Sequence, residues 1–279
     1  MNKTLVFVIW LYILPFFAVA NFSSKKDTTK VNYKFLIISS SVYSASITGL
    51  SYVWYNKYQH TGFHFFNDGS EWLQMDKVGH GFSAYYINSI LCKQLNSNKL
   101  WYSYVITQIY MSGIEIMDAY QKDWGFSWWD IAANNMGSAL FSLQQRYQLP
   151  IKLKFSYYPT QYSPMRPEML GSTFIENILK DYNGQTYWLA ISPWSKSIFT
   201  LDIGYSATGM LGGKNNPPEF ASIPRYRQFY LSAGITLSKI KTKKKWLKVL
   251  LNTIDVIKIP FPSLYIESSG KVGVRIFNL

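Results

Sequence analysis

Two periodicities run through this chain, and they change over at Pro150. Before it, apolar residues recur at helical spacing; after it, they alternate with polar ones. The run from Phe35 to Tyr55 is apolar and rich in serine, compatible with a membrane helix or with a close-packed helix of a bundle. Asp68 and Glu71 have the N-cap and N3 spacing of a capping box, which predicts a helix from there through about Asn96. Gly79 and Gly81 weaken its middle, so a break near Lys77 is allowed. Leu100 to Tyr120 reads as the next helix, with Gly113 inside it, and Ser127 caps another that runs to about Tyr147 before Pro150 ends it. About four helices result, enough for a bundle with a polar interior.

Beyond Pro150 the candidate strands are residues 151–157, 185–192, 198–208, 227–238, 261–267 and 271–278. In the fourth, Phe229, Leu231, Ala233, Ile235 and Leu237 point one way, and Tyr230, Ser232, Gly234, Thr236 and Ser238 the other. Leu201, Ile203, Tyr205 and Ala207 stand in the same way against Asp202, Gly204, Ser206 and Thr208. Such alternation serves a soluble sheet with one buried face, and equally a sheet between lipid and a wet lumen. Six strands fall short of the eight with which bacterial membrane barrels begin. The basic run Lys239 to Lys248 leads into the apolar stretch Trp246 to Ile257, where a short amphipathic helix would lie on a membrane surface or on the sheet. The fold class is therefore α+β: an N-terminal helical bundle of about four helices, then an antiparallel β-rich domain.

Residues 1–20 read as an export signal, with Lys3 as the charged start, Leu5 to Phe17 as the apolar core and Ala18-Val19-Ala20 as the cleavage site. A polar linker of residues 21–31 would follow, then the helical domain with the polar motif over 32–149 and the β-rich domain over 150–279. Cys92 is the sole cysteine, which leaves no lipobox, no internal disulfide and no cysteine-rich zinc site. The formal charge is +13. Acidic Asp76, Glu115, Asp118, Asp123 and Asp130 lie in the helical part, so the basic excess falls mostly in the C-terminal half. On an exported chain rich in Trp and Tyr, that excess points to membrane lipid or lipopolysaccharide as partner, not to nucleic acid. A solvated basic surface is the plainer reading.

Candidate chemistry concentrates between residues 76 and 137. Asp76 and His80 are four apart and share one helix face; Glu115 and Asp118, three apart, do the same, and Asp130, Asn134 and Gly137 continue the pattern. Polar groups of this kind cost several kcal/mol each to bury without partners. Carboxylates with one imidazole suit a divalent cation, with His80 and two or three of Asp76, Glu115, Asp118 and Asp130 as ligands. A metal so held would activate water; without one, His80 and a carboxylate form an acid/base pair. The plainer account has Asp130 satisfying a helix start, Asp76 pairing with Lys77, Asn134 bridging helices and Gly137 permitting close packing. His60 and His64 fit ordinary loop residues better than ligands, and Cys92 a small core residue.

The stretch EWLQMDKVGHGFSAYY, followed by GIEIMDAYQKDWGFSWWDIAANNMGSALF, resembles the YfiM-type family of predicted periplasmic lipoproteins, and more closely its longer members from Bacteroidota-like bacteria. FHFFNDGSEWLQMDK and LKDYNGQTYWLAIS fit the same longer relatives, so the resemblance covers most of residues 60–210. It marks Asp76, Lys77, His80, Glu115, Asp118, Asp130, Asn134 and Gly137 as characteristic positions. More distantly, D-K-x-x-H, an acidic residue in the next helix and D-x-x-x-N-x-x-G are similar to VanZ-like membrane proteins, which implies an envelope role near lipid or cell-wall intermediates. The absent lipobox cysteine departs from the family pattern and shifts weight to a soluble or integral form.

These readings converge on an exported envelope protein, periplasmic or associated with the outer membrane. Its polar helix-bundle site would bind a lipid or glycolipid headgroup through Asp76, Lys77, Asp130 and Asn134. The rival is a metal-dependent hydrolase of envelope lipid or glycan precursors, with His80, Glu115 and Asp118 as catalytic residues and as ligands of one divalent metal ion.

Overall fold

A computed structural model describes residues 59–95 and 100–276, with positions 41, 45, 48 and 49 besides. The expected export signal and linker lie outside the described residues, and of the expected helix over 35–55 only those four positions are described, all helical. The first long helices are α1 (Met75–Leu95), α2 (Leu100–Asp118) and α3 (Trp128–Tyr147). A six-stranded antiparallel sheet follows in the order β1-β2-β3-β4-β5-β6. Its strands are β1 (Ile151–Tyr157), β2 (Gln185–Ile191), β3 (Phe199–Thr208), β4 (Tyr226–Ile235), β5 (Ser263–Glu267) and β6 (Val272–Arg275). Helix α4 (Phe174–Lys180) precedes β2, and α5 (Lys245–Ile254) lies between β4 and β5. The fold is α+β, and no helix among the described residues is long and apolar enough to cross a membrane.

The chain divides into two units. One holds Met1–Asn67 and Ala84–Ala139; the other holds Asp68–Ser83 and Leu140–Leu279.

In the first unit, polar groups join the helices. Asn88 of α1 donates to the Ser138 carbonyl at 2.9 Å, Gln108 of α2 to the Ser138 hydroxyl at 2.8 Å, and Tyr104 of α2 to Asn135 at 2.6 Å. Ser127 caps α3 as its sequence predicts, its hydroxyl accepting the Asp130 N–H at 3.1 Å. The loop before α1 lies along the α2–α3 connection, with Thr61 N–H on the Tyr120 carbonyl, Phe66 N–H on the Phe126 carbonyl and Phe126 N–H on the His64 carbonyl. His60 takes part in this loop through Gln121, and His64 through the Gly62 carbonyl, so both are loop residues.

In the second unit the sheet carries opposite chemistry on its two sides. Strand registers set Lys154 beside Trp188, Trp188 beside Gly204 and Gly204 beside Tyr230 on the polar side. Gly204 is required there, because a Cβ would lie 2.7 Å from the Trp188 indole. Ion pairs hold this side closed: Lys152 and Lys154 reach the two oxygens of Asp255 at 2.5 and 3.2 Å, and Lys258 reaches Asp202 at 3.1 Å. On the apolar side, the start of α1 packs over one end, where Met75 is buried with Ala207 and Met210 and Phe82 meets Phe155 and Tyr187.

Helix α1 does not begin at the expected capping box. Residues Trp72, Leu73 and Gln74 adopt left-handed φ of 49°, 49° and 63°, and the helix starts at Met75. Each such non-glycine residue costs roughly 1–2 kcal/mol, and the sheet holds them. Trp72 N–H donates to the Gly213 carbonyl at 2.8 Å, the Tyr205 hydroxyl to the Leu73 carbonyl, and Arg227 to the Gln74 side chain. The break thus falls before Lys77, while Gly79 and Gly81 lie inside an unbroken helix.

Candidate functional site

The second unit gathers Asp76, Lys77 and His80 in the first turns of α1. The ammonium of Lys77 lies between two carboxylates, 2.6 Å from Asp68 and 2.7 Å from Asp76. The other Asp76 oxygen accepts the Tyr182 hydroxyl at 2.7 Å and stands 3.7 Å from His80 Nε2. Burial by itself would raise the Asp76 carboxyl, but the charges of Lys77 and His80 and the hydrogen bonds from Lys77 and Tyr182 outweigh it and hold the group down at about 2. Glu71 goes the other way: burial and the neighbouring Asp68 push its carboxyl up. Asp76 is thus an anion at neutral pH, with one oxygen on Lys77 and the other on the Tyr182 hydroxyl, near His80.

Asp68 and Tyr182 belong to this cluster and the sequence does not announce them as such. Asp68 reads as a helix cap, yet its carboxylate takes Lys77. Tyr182 is 106 residues from Asp76, and no local spacing connects them; its only signal is its place in the LKDYNGQTYWLAIS segment.

The first unit holds Glu115, Asp118, Asp130, Asn134 and Gly137. Glu115 is fully buried on the face of α2 that also carries Ser103, Thr107 and Met111. Asp118, half-buried, ends the same helix. Both carboxylates stand at the negative end of the α2 dipole with no basic residue in that turn, an unfavourable placement that helix formation does not explain. Asp130 sits in the first turn of α3, where the dipole favours it, and is buried. Asp130, Ala133, Asn134, Gly137, Ser138 and Phe141 form one buried stripe along α3 at spacings of three and four. Asp130, Asn134 and Gly137 thus face inward on α3, whereas of the pair expected on α2 Glu115 is buried and Asp118 half-buried.

Large apolar side chains take the opposite faces. Ile109 and Met136 are 65% and 73% exposed, and Trp101, Val105, Ile116, Trp129 and Leu143 are exposed with them. Next to these helices an aromatic group is open to solvent: Phe65 stacks on Trp128 with centroids 6.0 Å apart, Phe63 meets Phe65 and Tyr120 edge-on, and Trp129 donates to Asn67. Soluble helices bury the apolar stripe and expose the polar one; here the order is reversed.

No curated protein and no solved structure matches the chain. The similarity to VanZ-like membrane proteins stays an expectation of the sequence. The family comparison finds residues 62–146, which contain every characteristic position from Asp76 to Gly137, whereas the LKDYNGQTYWLAIS segment lies outside the matched span. Over residues 62–146 the chain matches the family described as Predicted periplasmic lipoprotein (DUF2279), and it is an envelope protein, periplasmic or associated with the outer membrane.

Proposed function

We propose that this protein is a membrane-associated component of the cell envelope whose inward-facing polar residues hold the headgroup of a lipid or glycolipid. The observation that carries the reading is the reversal on α2 and α3, with Ser103, Thr107, Glu115, Asn134 and Ser138 buried and Trp101, Val105, Ile109, Trp129 and Met136 exposed. In water this arrangement wastes the hydrophobic effect; against lipid it is the favourable one, with polar side chains joining the helices from within. The exposed Phe63, Phe65, Tyr120, Trp128 and Trp129 suit the boundary between headgroups and hydrocarbon. Asp130 and Asn134 are the proposed headgroup contacts of the first unit, and Asp76 and Lys77 are proposed as polar contacts of the second by themselves. Flotation of the full chain with vesicles of phosphatidylethanolamine and phosphatidylglycerol tests the association. The wild type floats, and the Ile109→Asp/Met136→Asp variant, folded by circular dichroism, floats far less. A wild type that stays in the dense fraction sinks the proposal.

A second reading, metal-assisted hydrolysis of envelope lipid or glycan precursors, draws on a narrower observation. Asp76 and His80 present an oxygen and a ring nitrogen 3.7 Å apart, and Glu115 and Asp118 oppose their helix dipole. In the second unit His80 would hold the ion beside Asp76, while Glu115 and Asp118 belong to the first unit. Elemental analysis of the wild type beside His80→Ala/Glu115→Ala decides it: one divalent ion per chain, lost in the variant, supports hydrolysis, and none in either protein removes it.

A further inference from the structure

The geometry of the sheet points to a second lipid contact: we infer that the open face of β3–β6 lies against the hydrocarbon of a bilayer, with the β2–β3 turn and the basic segment before α5 at its anionic headgroups. The inference rests on the membrane association proposed above and names a different surface for it.

The alternation along the strands has a fixed phase. Along β3 the exposed residues are Phe199, Leu201 and Ile203, and the buried ones Thr200, Asp202, Gly204 and Ser206. Along β4, Phe229, Leu231 and Ala233 are exposed, and Gln228, Tyr230, Ser232 and Gly234 are buried. Val272 and Val274 of β6 are 67% and 62% exposed, whereas Asp202 and Lys154 are 0%. A soluble antiparallel sheet turns its apolar side to the core; a lipid-facing sheet does what is seen here.

Register makes the exposed residues one surface. Ile203 is paired with Leu231, Leu231 with Leu264, and Leu264 with Val274, so a row of apolar side chains crosses all four strands. A contiguous exposed apolar face of this kind marks a contact with another apolar surface. Nor is the sheet free to exchange its faces. The opposite side is filled by Trp188 and Tyr230 and by the pairs Lys154–Asp255 and Lys258–Asp202, and opening it would strand buried charges at a cost of several kcal/mol.

Length and charge say which apolar partner fits. Strands β3 and β4 have ten residues each and β5 and β6 five and four, so the apolar wall is deepest at β3 and β4. The β2–β3 turn and the segment following β4 leave the sheet at the same end, where Lys239 donates to Ser192 at 2.7 Å. Trp194, Lys196, Lys241, Lys243, Lys244, Lys245, Trp246 and Lys248 are all exposed there. Indoles and ammonium groups together at one end of an apolar wall match the headgroup layer of an anionic membrane, whereas a second copy of this chain would bring the same positive charge against itself.

The test uses the full chain with Cys92→Ser and one new cysteine at Ile203, Leu231 or Leu264, or at Glu219 in the exposed β3–β4 loop as control, each carrying an environment-sensitive fluorophore. With vesicles of phosphatidylethanolamine and phosphatidylglycerol, the three sheet labels shift to the blue and lose emission to brominated acyl chains, while the Glu219 label answers only to aqueous iodide. Chains that float but whose sheet labels remain open to iodide overturn this inference and leave the association through the helices standing. Sheet labels shielded from both quenchers, with a doubled mass by light scattering, assign the face to a second copy and overturn it too. Chains that do not float overturn both.

Discussion

Asp76 shows how much one residue can carry and how it is read. Its four-residue spacing to His80 makes the shared helix face legible, and Lys77 next door supplies an evident cation. Its other partners are not legible, because Asp68 carries the signature of a cap and Tyr182 comes from a distant loop. The left-handed turn at Trp72–Gln74 removes the helix that Asp68 would have capped and frees its carboxylate for Lys77. A carboxyl held at about 2, below its ordinary value of 3.8, contributes stability that is complete above about pH 4 and disappears as pH falls through about 2. The shift corresponds to about 2 kcal/mol. Asp76→Asn is accordingly less stable than wild type by about that amount at neutral pH, and urea titrations at stepped pH see the gap close between about pH 4 and pH 2. A gap that stays constant with pH would mean that Asp76 acts through packing alone.

At the scale of elements, period alone reveals most of the architecture. Strand β1 coincides with its expected range, and the others lie within three residues of theirs at either end. β4 stops at Ile235, short of the expected Ser238, because the backbone N–H groups of Leu237 and Ser238 turn to Asp255, a long-range partner that alternation cannot register. Helix α3 begins after its predicted cap, since that signal is entirely local. Ser127→Ala removes the acceptor for the Asp130 N–H and lowers stability by about 1 kcal/mol, measurable as a shifted urea midpoint with unchanged slope. The start of α1 was not legible for the opposite reason. Three left-handed residues in sequence contradict their own propensities and persist through Gly213, Tyr205 and Arg227, all beyond residue 200.

For the whole molecule, the pattern foretells two unlike faces on each element but not which one is inside. Alternation is symmetric in that respect, and composition leans towards burying the apolar side. What reverses it is a set of long-range ion pairs and polar bridges, Lys154–Asp255, Lys258–Asp202 and Gln108–Ser138 among them, whose members are far apart in sequence. The charge of +13 then acts at the surface. Each lysine near an anionic membrane is worth about 1 kcal/mol, and salt screens it within about 10 Å at 0.1 M. The triple variant Lys243→Glu/Lys244→Glu/Lys245→Glu therefore binds phosphatidylglycerol-containing vesicles far more weakly than wild type, while the two proteins behave alike on purely zwitterionic vesicles. Added salt weakens the wild type towards the variant, and equal binding of both at low salt would show that the basic segment takes no part.

The order β1-β2-β3-β4-β5-β6 bears on how such a sheet comes to exist. Every strand after β1 pairs with the one made immediately before it, so no strand waits for a partner from the far end of the chain. A chain delivered N-terminus first can zip one hairpin at a time, each addition covering the last open edge and widening the polar and the apolar wall together.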